Sequence, residues 1–138
     1  MKKVLTLGMV ILMLCAIVLP VYAAGNEITP YYNNTMRVTG RFQIESTGEA
    51  VITLSFTGYS SCATDATLTS KIQKSTTSGW VDVDGASWVD EVDAPRGTLQ
   101  HRYQLTSTGT YRLVYEVVVR GTCGEPDVIS QTIEDEYI

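Results

Sequence analysis

Apolar and polar residues alternate with a period of two along most of the chain after residue 35. The alternation is longest in residues 109–119, where every second position is apolar or aromatic. Successive side chains of a β-strand point to opposite faces, so this pattern is typical of a strand with one buried face. We therefore predict that a strand at 109–119 buries Tyr111, Leu113, Tyr115, Val117 and Val119.

The same period predicts seven further strands, at 36–45, 49–59, 66–74, 80–83, 88–92, 98–106 and 127–137. Their predicted inward residues are Met36, Val38, Gly40, Phe42, Ile44, Ile52, Leu54, Phe56, Leu68, Ile72, Leu99, His101, Tyr103, Leu105, Ile129 and Ile133. Asp84-Gly85 is a hairpin signal between the fourth and fifth strands. No segment has a helical period, and turns recur about every ten residues. The chain is therefore predicted to be an all-β, antiparallel sandwich of seven to eight strands.

The N-terminus has the organisation of a secretory signal peptide. Lys2 and Lys3 precede an apolar run, and Ala23 ends a stretch that suits cleavage. The run of about 16 residues is shorter than the roughly 20 that cross a bilayer. We predict a signal peptide at 1–23, an N-terminal arm at 24–35 and one sandwich domain at 36–138, secreted without a transmembrane anchor. The alternatives are an uncleaved anchor and a lipoprotein attached through Cys15, although Leu14 stands where a lipoprotein signal has a small residue.

The predicted mature chain is acidic. Without Lys2 and Lys3 it has 8 basic and 15 acidic residues, a net charge of −7. The sequence contains no cluster of Lys or Arg, so we expect no binding to nucleic acid and no adhesion to anionic lipid through a basic patch. The negative charge is interpreted as a source of solubility.

Two cysteines, Cys62 and Cys123, follow the predicted cleavage site. An even count in an exported chain favours one disulfide over a metal site. Zinc needs about four ligands, and the chain has one histidine.

Two segments resemble known sandwich proteins. Gly109-Thr110-Tyr111 resembles the corner that enters the penultimate strand of immunoglobulin-like domains, where the tyrosine hydroxyl bonds back to the backbone. Leu113 replaces the cysteine of antibody domains, which excludes that branch of the fold. Residues 71–88, KIQKSTTSGWVDVDGASW, resemble a hairpin of immunoglobulin-like modules in bacterial surface and secreted proteins. Small, largely uncharacterised secreted proteins of Gram-positive bacteria resemble most of the chain.

The resemblance implies a fold, an export route and a partner for Cys123, but no catalytic residue. In an immunoglobulin-like sandwich the loops that carry Cys62 and Cys123 lie at the same pole. A structural disulfide between them is therefore expected. A redox-active pair is the alternative, and such pairs usually have the close spacing C-x-x-C.

Candidate catalytic residues are few. His101 shares its predicted face with Leu99, Tyr103 and Leu105, which places it at the core or its rim. A catalytic histidine needs a carboxylate and a nucleophile within reach, and the sequence has no nucleophile elbow. The carboxylates are densest at Asp82, Asp84, Asp90, Glu91 and Asp93, where they alternate with apolar residues as on a solvated face. We therefore expect no enzymatic activity.

Asp82-x-Asp84-Gly85 is the one candidate for a calcium site in the sequence. It lacks the later acidic ligands of a calcium-binding loop, so an acidic surface hairpin is the preferred interpretation and no metal or cofactor is expected.

Trp80 and Trp88 are the candidate ligand-binding residues, because flat aromatic rings on a sandwich can stack on sugars and both lie on one predicted hairpin. Core packing is the alternative for both rings.

The sequence thus predicts a secreted, non-enzymatic binding or interaction module with an unidentified extracellular protein or glycan as its partner. Its binding surface would be the tryptophan hairpin or a loop pole with Ser60, Ser61, Gly121 and Thr122. Alternatives are a carbohydrate-binding module that uses the tryptophans and a secreted inhibitor or antimicrobial effector.

Overall fold

A computed structural model of the protein describes residues 31–138, and this segment folds into seven β-strands. The strands are β1 (Thr35–Ile44), β2 (Glu49–Gly58), β3 (Ala63–Thr76), β4 (Gly79–Val92), β5 (Arg96–Gln104), β6 (Gly109–Gly121) and β7 (Asp127–Tyr137). The predicted signal peptide and the arm up to residue 30 lie outside the described residues.

The strands form two antiparallel sheets. A three-stranded sheet has the order β1-β2-β5, and a four-stranded sheet has the order β4-β3-β6-β7. Every neighbouring pair is antiparallel. The prediction of an all-β antiparallel sandwich is therefore confirmed.

The core lies between the two sheets and is built by the alternating residues of the central strands. In β2, Ile52, Leu54 and Phe56 are at most 2 % exposed. In β6, all five predicted inward residues, from Tyr111 to Val119, are buried. Central strands have neighbours on both sides, so folding removes most of the apolar surface of their inner side chains from contact with water. This burial stabilises the sandwich.

The predicted hairpin at Asp84-Gly85 is wrong. Residues 79–92 form one strand, β4, whose pairing with β3 is interrupted by a bulge: Lys71 lies opposite Ser87, but Gln73 lies opposite Asp82. Two steps along β3 thus correspond to five along β4. Gly85 takes a φ of 74° within this bulge, a left-handed conformation that favours glycine. The turn that joins β3 to β4 lies earlier, at residues 77–78.

Met36 also departs from the prediction. Its side chain is 60 % exposed, whereas Phe42 on the same strand is buried. The β1–β2 pairing shifts register between Thr35 and Arg37, so the alternation that fits the rest of β1 does not extend to Met36.

The predicted tyrosine corner is present at the start of β6. Tyr111 is 2 % exposed, and its hydroxyl donates a hydrogen bond of 2.6 Å to the backbone carbonyl of Ser107. This bond fastens the β5–β6 connection to the core.

Tyr111→Phe is expected to lower the free energy of unfolding by about 1 kcal/mol, because it removes the hydrogen bond from Tyr111 to the Ser107 carbonyl while the ring still packs. Urea denaturation followed by tryptophan fluorescence measures the change. Tyr137→Phe is the matched control, since its hydroxyl forms no hydrogen bond within residues 31–138. Equal stability losses for the two variants would contradict the role of the corner.

Candidate functional site

The disulfide between Cys62 and Cys123 is present, as predicted. It joins the β2–β3 loop to the β6–β7 loop, with 5.2 Å between the two Cα atoms. The backbone N–H of Thr122 also donates to the carbonyl of Cys62 at 2.9 Å. Ser60, Ser61 and Thr122 are exposed around this bridge. The pole predicted as a possible ligand surface is thus cross-linked by a covalent bond and a hydrogen bond.

Asp127 anchors the end of the N-terminal arm to this pole. Its buried carboxylate accepts hydrogen bonds of 2.8–2.9 Å from the backbone N–H groups of Asn33, Asn34 and Thr35, and a fourth from the Thr35 hydroxyl. Burial of the carboxylate raises its pKa, but these hydrogen bonds outweigh burial, and the pKa of Asp127 lies below its ordinary value.

Asn34 completes the anchor. It is fully buried, its amide donates to the carbonyl of Glu125 at 3.0 Å, and its side-chain oxygen accepts from the N–H of Cys123 at 3.2 Å. Within the predicted arm, Asn34 and Thr35 therefore belong to the folded domain, and Tyr31 is 89 % exposed. These hydrogen bonds hold residues 33–35 against the β6–β7 loop and the start of β7. Asn34 and Asp127 therefore have structural roles.

Trp80 and Trp88 lie on opposite faces of β4. Trp88 stacks on His101 of the facing sheet, with 4.8 Å between ring centroids. Trp80 lies on the outer face of the four-stranded sheet, where the Arg112 guanidinium covers its ring at 4.3 Å. The two positions are eight apart, an even number that simple alternation assigns to one face. The bulge adds an odd number of residues and reverses the face, so the two rings form no common platform.

His101 lies at the rim of the core, as predicted, in a small cluster between β4 and β5. Its ring is nearly parallel to Trp88, and Tyr103 approaches Trp88 edge-on. The Nε2 atom of His101 lies 2.6 Å from Oδ2 of Asp90, and the two side chains are 21 % and 23 % exposed. The interpretation of Asp90 as part of a solvated face is therefore wrong, because its side chain points toward the facing sheet.

The His101–Asp90 pair supplies an imidazole oriented by a carboxylate. Within residues 31–138 this is the only side-chain hydrogen bond of the ring, and no hydroxyl or thiol donates to it. The stacking on Trp88 and the bond to Asp90 hold the ring in one orientation. In this orientation the ring packs between the edge strands β4 and β5 of the two sheets.

The acidic residues of the bulge are dispersed. Asp82 accepts hydrogen bonds from Gln73 and Lys71, and these bonds lower its pKa. Asp84 is exposed, and its backbone carbonyl accepts from the Tyr103 hydroxyl at 2.7 Å. Within residues 31–138, no group of three or more His, Cys, Asp or Glu side chains is placed to hold a metal ion.

The outer face of the three-stranded sheet is a polar surface on which residues distant in sequence lie in register. Four rows cross the sheet, each from β1 through β2 to β5: Arg37–Thr57–Arg96, Thr39–Ser55–Thr98, Arg41–Thr53–Gln100 and Gln43–Val51–Arg102. We call these twelve residues the arginine face. Two shallow depressions of about 170 and 270 Å³ lie on it. Val51 is its one apolar side chain.

Charge is divided unevenly between the sheets. The strands of the three-stranded sheet carry four basic residues, all arginines, and one acidic residue, Glu49. The strands of the four-stranded sheet carry four basic and ten acidic residues. The four arginines are dispersed in the sequence and share one sheet only in the folded chain.

Three of the four guanidinium groups on the arginine face have no carboxylate partner within residues 31–138. Arg102 pairs with Glu49 at 2.7 Å. Arg37 donates instead to the Thr39 hydroxyl and Arg41 to the Gln43 side-chain carbonyl, both neutral acceptors on their own strand. Arg96 forms no hydrogen bond or ion pair through its side chain in this part of the chain. No direct ion pair therefore neutralises Arg37, Arg41 or Arg96 in the described residues, although Glu45 lines the same depression as Arg41.

The fold defines a seven-stranded antiparallel β-sandwich with one disulfide at a loop pole. No protein-family model matches the chain, and no curated protein matches it significantly. No helix in residues 31–138 is long and apolar enough to cross a membrane.

Proposed function

We propose that the chain is an exported, non-enzymatic binding module with an immunoglobulin-like fold, and that the arginine face binds its ligand. The strand orders β1-β2-β5 and β4-β3-β6-β7 support the fold assignment, because they correspond to strands A-B-E and C′-C-F-G of that fold. The hydrogen bond of Tyr111 to Ser107 adds a second feature of the same fold.

Export is supported by two independent observations. The N-terminal sequence has the charge, apolar run and cleavage residues of a signal peptide. The Cys62–Cys123 disulfide is of a kind that persists in oxidising compartments, outside the reducing cytosol.

A structural role for the rim cluster supports the non-enzymatic assignment. His101 is held between Trp88 and Asp90, and Tyr103 completes the contact between β4 and β5. These contacts link the two sheets along one edge, which accounts for the cluster without a reaction.

The observation that carries the binding proposal is the set of guanidinium groups on the arginine face without ion pairs. Arg37, Arg41 and Arg96 are exposed, and their neighbours across the sheet are uncharged. Guanidinium groups are weakly hydrated and present a planar set of donors, so they bind anionic and polar ligands well from such a position. On the four-stranded sheet, Lys71 and Arg120 pair with carboxylates, and Lys74 and Arg112 contact neutral groups among many acidic residues.

Co-sedimentation with insoluble cell walls and polysaccharides tests the proposal. The protein released by cells that express the full chain is used, so its release also tests export. Arg37→Glu/Arg41→Glu is expected to abolish pelleting, and Lys71→Glu, on the opposite sheet and away from Trp80, is expected to keep it. Each variant is checked for folding by circular dichroism. Absence of pelleting by the wild type, or equal pelleting by the double variant, would contradict the proposal.

A second candidate site is Trp80 alone. Its ring lies on an outer face and is partly exposed, so it offers an aromatic surface for a sugar ring. Loss of pelleting in Trp80→Ala, with pelleting retained in Arg37→Glu/Arg41→Glu, would favour this candidate over the arginine face.

A further inference from the structure

The chemistry of the arginine face narrows the kind of partner that it fits. Protein interfaces are anchored by a few Trp, Tyr and Arg side chains that are buried in a well-packed, largely apolar interface core. The arginine face has only Val51 as an apolar residue. Its other residues are arginines, hydroxyl residues and glutamines, which hydrogen-bond to a polar ligand. The face is therefore better suited to a hydrated polymer than to a protein.

The hydroxyl and amide residues lie between the arginines. Thr57 separates Arg37 from Arg96, and Thr53 lies between Arg41 and Gln100. In the second row, the Ser55 and Thr98 hydroxyls lie 3.0 Å apart. Each hydroxyl both donates and accepts, as the hydroxyls of sugars do, so these residues match an uncharged polyhydroxyl backbone.

The arginines supply a repeating positive charge at a regular spacing. Neighbouring strands lie about 4.8 Å apart, so the backbones of Arg37 and Arg96 are about 10 Å apart across the sheet. Arg41 lies four positions after Arg37 on β1, a distance of about 13 Å at the rise of a strand. A polymer with anionic groups along its length can engage two or three of these charges together, which raises the total affinity above that of each contact.

We infer that the arginine face binds a carboxylate-bearing polysaccharide. The guanidinium groups of Arg37, Arg41 and Arg96 bind its carboxylates, and the intervening hydroxyls and Gln100 bind its sugar hydroxyls. The acidic four-stranded sheet repels the same polymer and so restricts it to one face of the domain. This inference rests on the proposed function and names the ligand of the same face.

Calorimetric titration with polygalacturonate tests the inference. Its methyl ester has the same backbone with the carboxylates masked, and it serves as the matched ligand. We expect binding to polygalacturonate, at least tenfold weaker binding to the ester, and weakening of the former as salt rises. Arg37→Gln/Arg96→Gln is expected to lower the affinity about tenfold, because it removes two charge-assisted contacts. Lys71→Gln/Arg120→Gln removes the same charge from the opposite sheet, away from Trp80, and is expected to leave binding unchanged.

Three results would overturn the inference: equal binding of the acid and the ester, equal losses in the two double variants, or binding of inorganic polyphosphate as tight as that of polygalacturonate. The last result would make the face a general polyanion site. Failure of the inference is distinguishable from failure of the proposed function. Pelleting with cell walls that depends on Arg37 and Arg41, without binding to polygalacturonate, would support the proposed function and refute this ligand class.

Discussion

Replacement of both cysteines, as Cys62→Ala with Cys123→Ala, is expected to lower the free energy of unfolding by about 4 kcal/mol. The disulfide closes a loop with a sequence separation of 61, and cross-links of this span restrict the unfolded chain strongly. Small domains have a total stability of about 5–15 kcal/mol, so this loss is a large share. Urea denaturation followed by tryptophan fluorescence measures it.

Reduction provides an independent control for this prediction. Wild type treated with dithiothreitol is expected to unfold at the same urea concentration as the double variant, and the double variant is expected to be insensitive to the reductant. A wild-type midpoint that dithiothreitol leaves unchanged, with reduction verified by thiol titration, would show that the bridge contributes little to stability.

Asp127→Asn is expected to lower the free energy of unfolding by about 3 kcal/mol at neutral pH. The carboxylate of Asp127 accepts four hydrogen bonds from residues 33–35. An amide accepts through one oxygen only and presents an NH₂ group to the remaining donors. Each hydrogen bond to a charged acceptor contributes about 1.5–3 kcal/mol, and the losses at one residue are less than additive. Urea denaturation at pH 7 measures the difference.

The difference between wild type and Asp127→Asn is expected to depend on pH. The pKa of Asp127 is lower in the folded protein than its ordinary value, because the hydrogen bonds from Asn33, Asn34 and Thr35 outweigh the opposing effect of burial. The stabilisation is therefore fully present above the unfolded pKa of about 3.9 and is lost as the pH falls through the folded pKa. The gap in stability between the two proteins should narrow below about pH 4.

Asp84→Asn is the control for both parts of this prediction, since Asp84 is exposed and its side chain accepts no hydrogen bond in the described residues. It is expected to change stability by less than about 0.5 kcal/mol. An equal loss in Asp84→Asn, or a gap for Asp127→Asn that stays constant from pH 7 to pH 3, would refute the assigned role of the carboxylate.

Much of the fold was predictable because the core is built from strands with regular alternation. The buried residues of β2 and β6 follow the period of two without interruption, and the tyrosine corner at Tyr111 has a local sequence signature. The disulfide followed from the expected fold, which brings two loops to one pole. The core and the tyrosine corner depend on short-range sequence patterns. The disulfide depends on the strand topology of the fold that those patterns indicate.

The candidate sites were less predictable, because they depend on register and on long-range contacts. The bulge at Gly85 places Trp80 and Trp88 on opposite faces of β4. The alternation of apolar and polar residues does not indicate that extra residues are inserted there. Asp127 lies more than 90 positions from the groups that it binds. The arginine face is hidden for the same reason: Arg37 and Arg96 become neighbours in a row only after β1 and β5 pair with β2.

Backbone amide chemical-shift mapping tests the central claim most directly. The protein, labelled with ¹⁵N, is titrated with a short oligomer of polygalacturonate, and the shift of each backbone amide is followed. The account predicts that the largest shifts lie on β1, β2 and β5, around Arg37, Arg41 and Arg96. Shifts confined to the four-stranded sheet around Trp80, or to the disulfide pole, would contradict it.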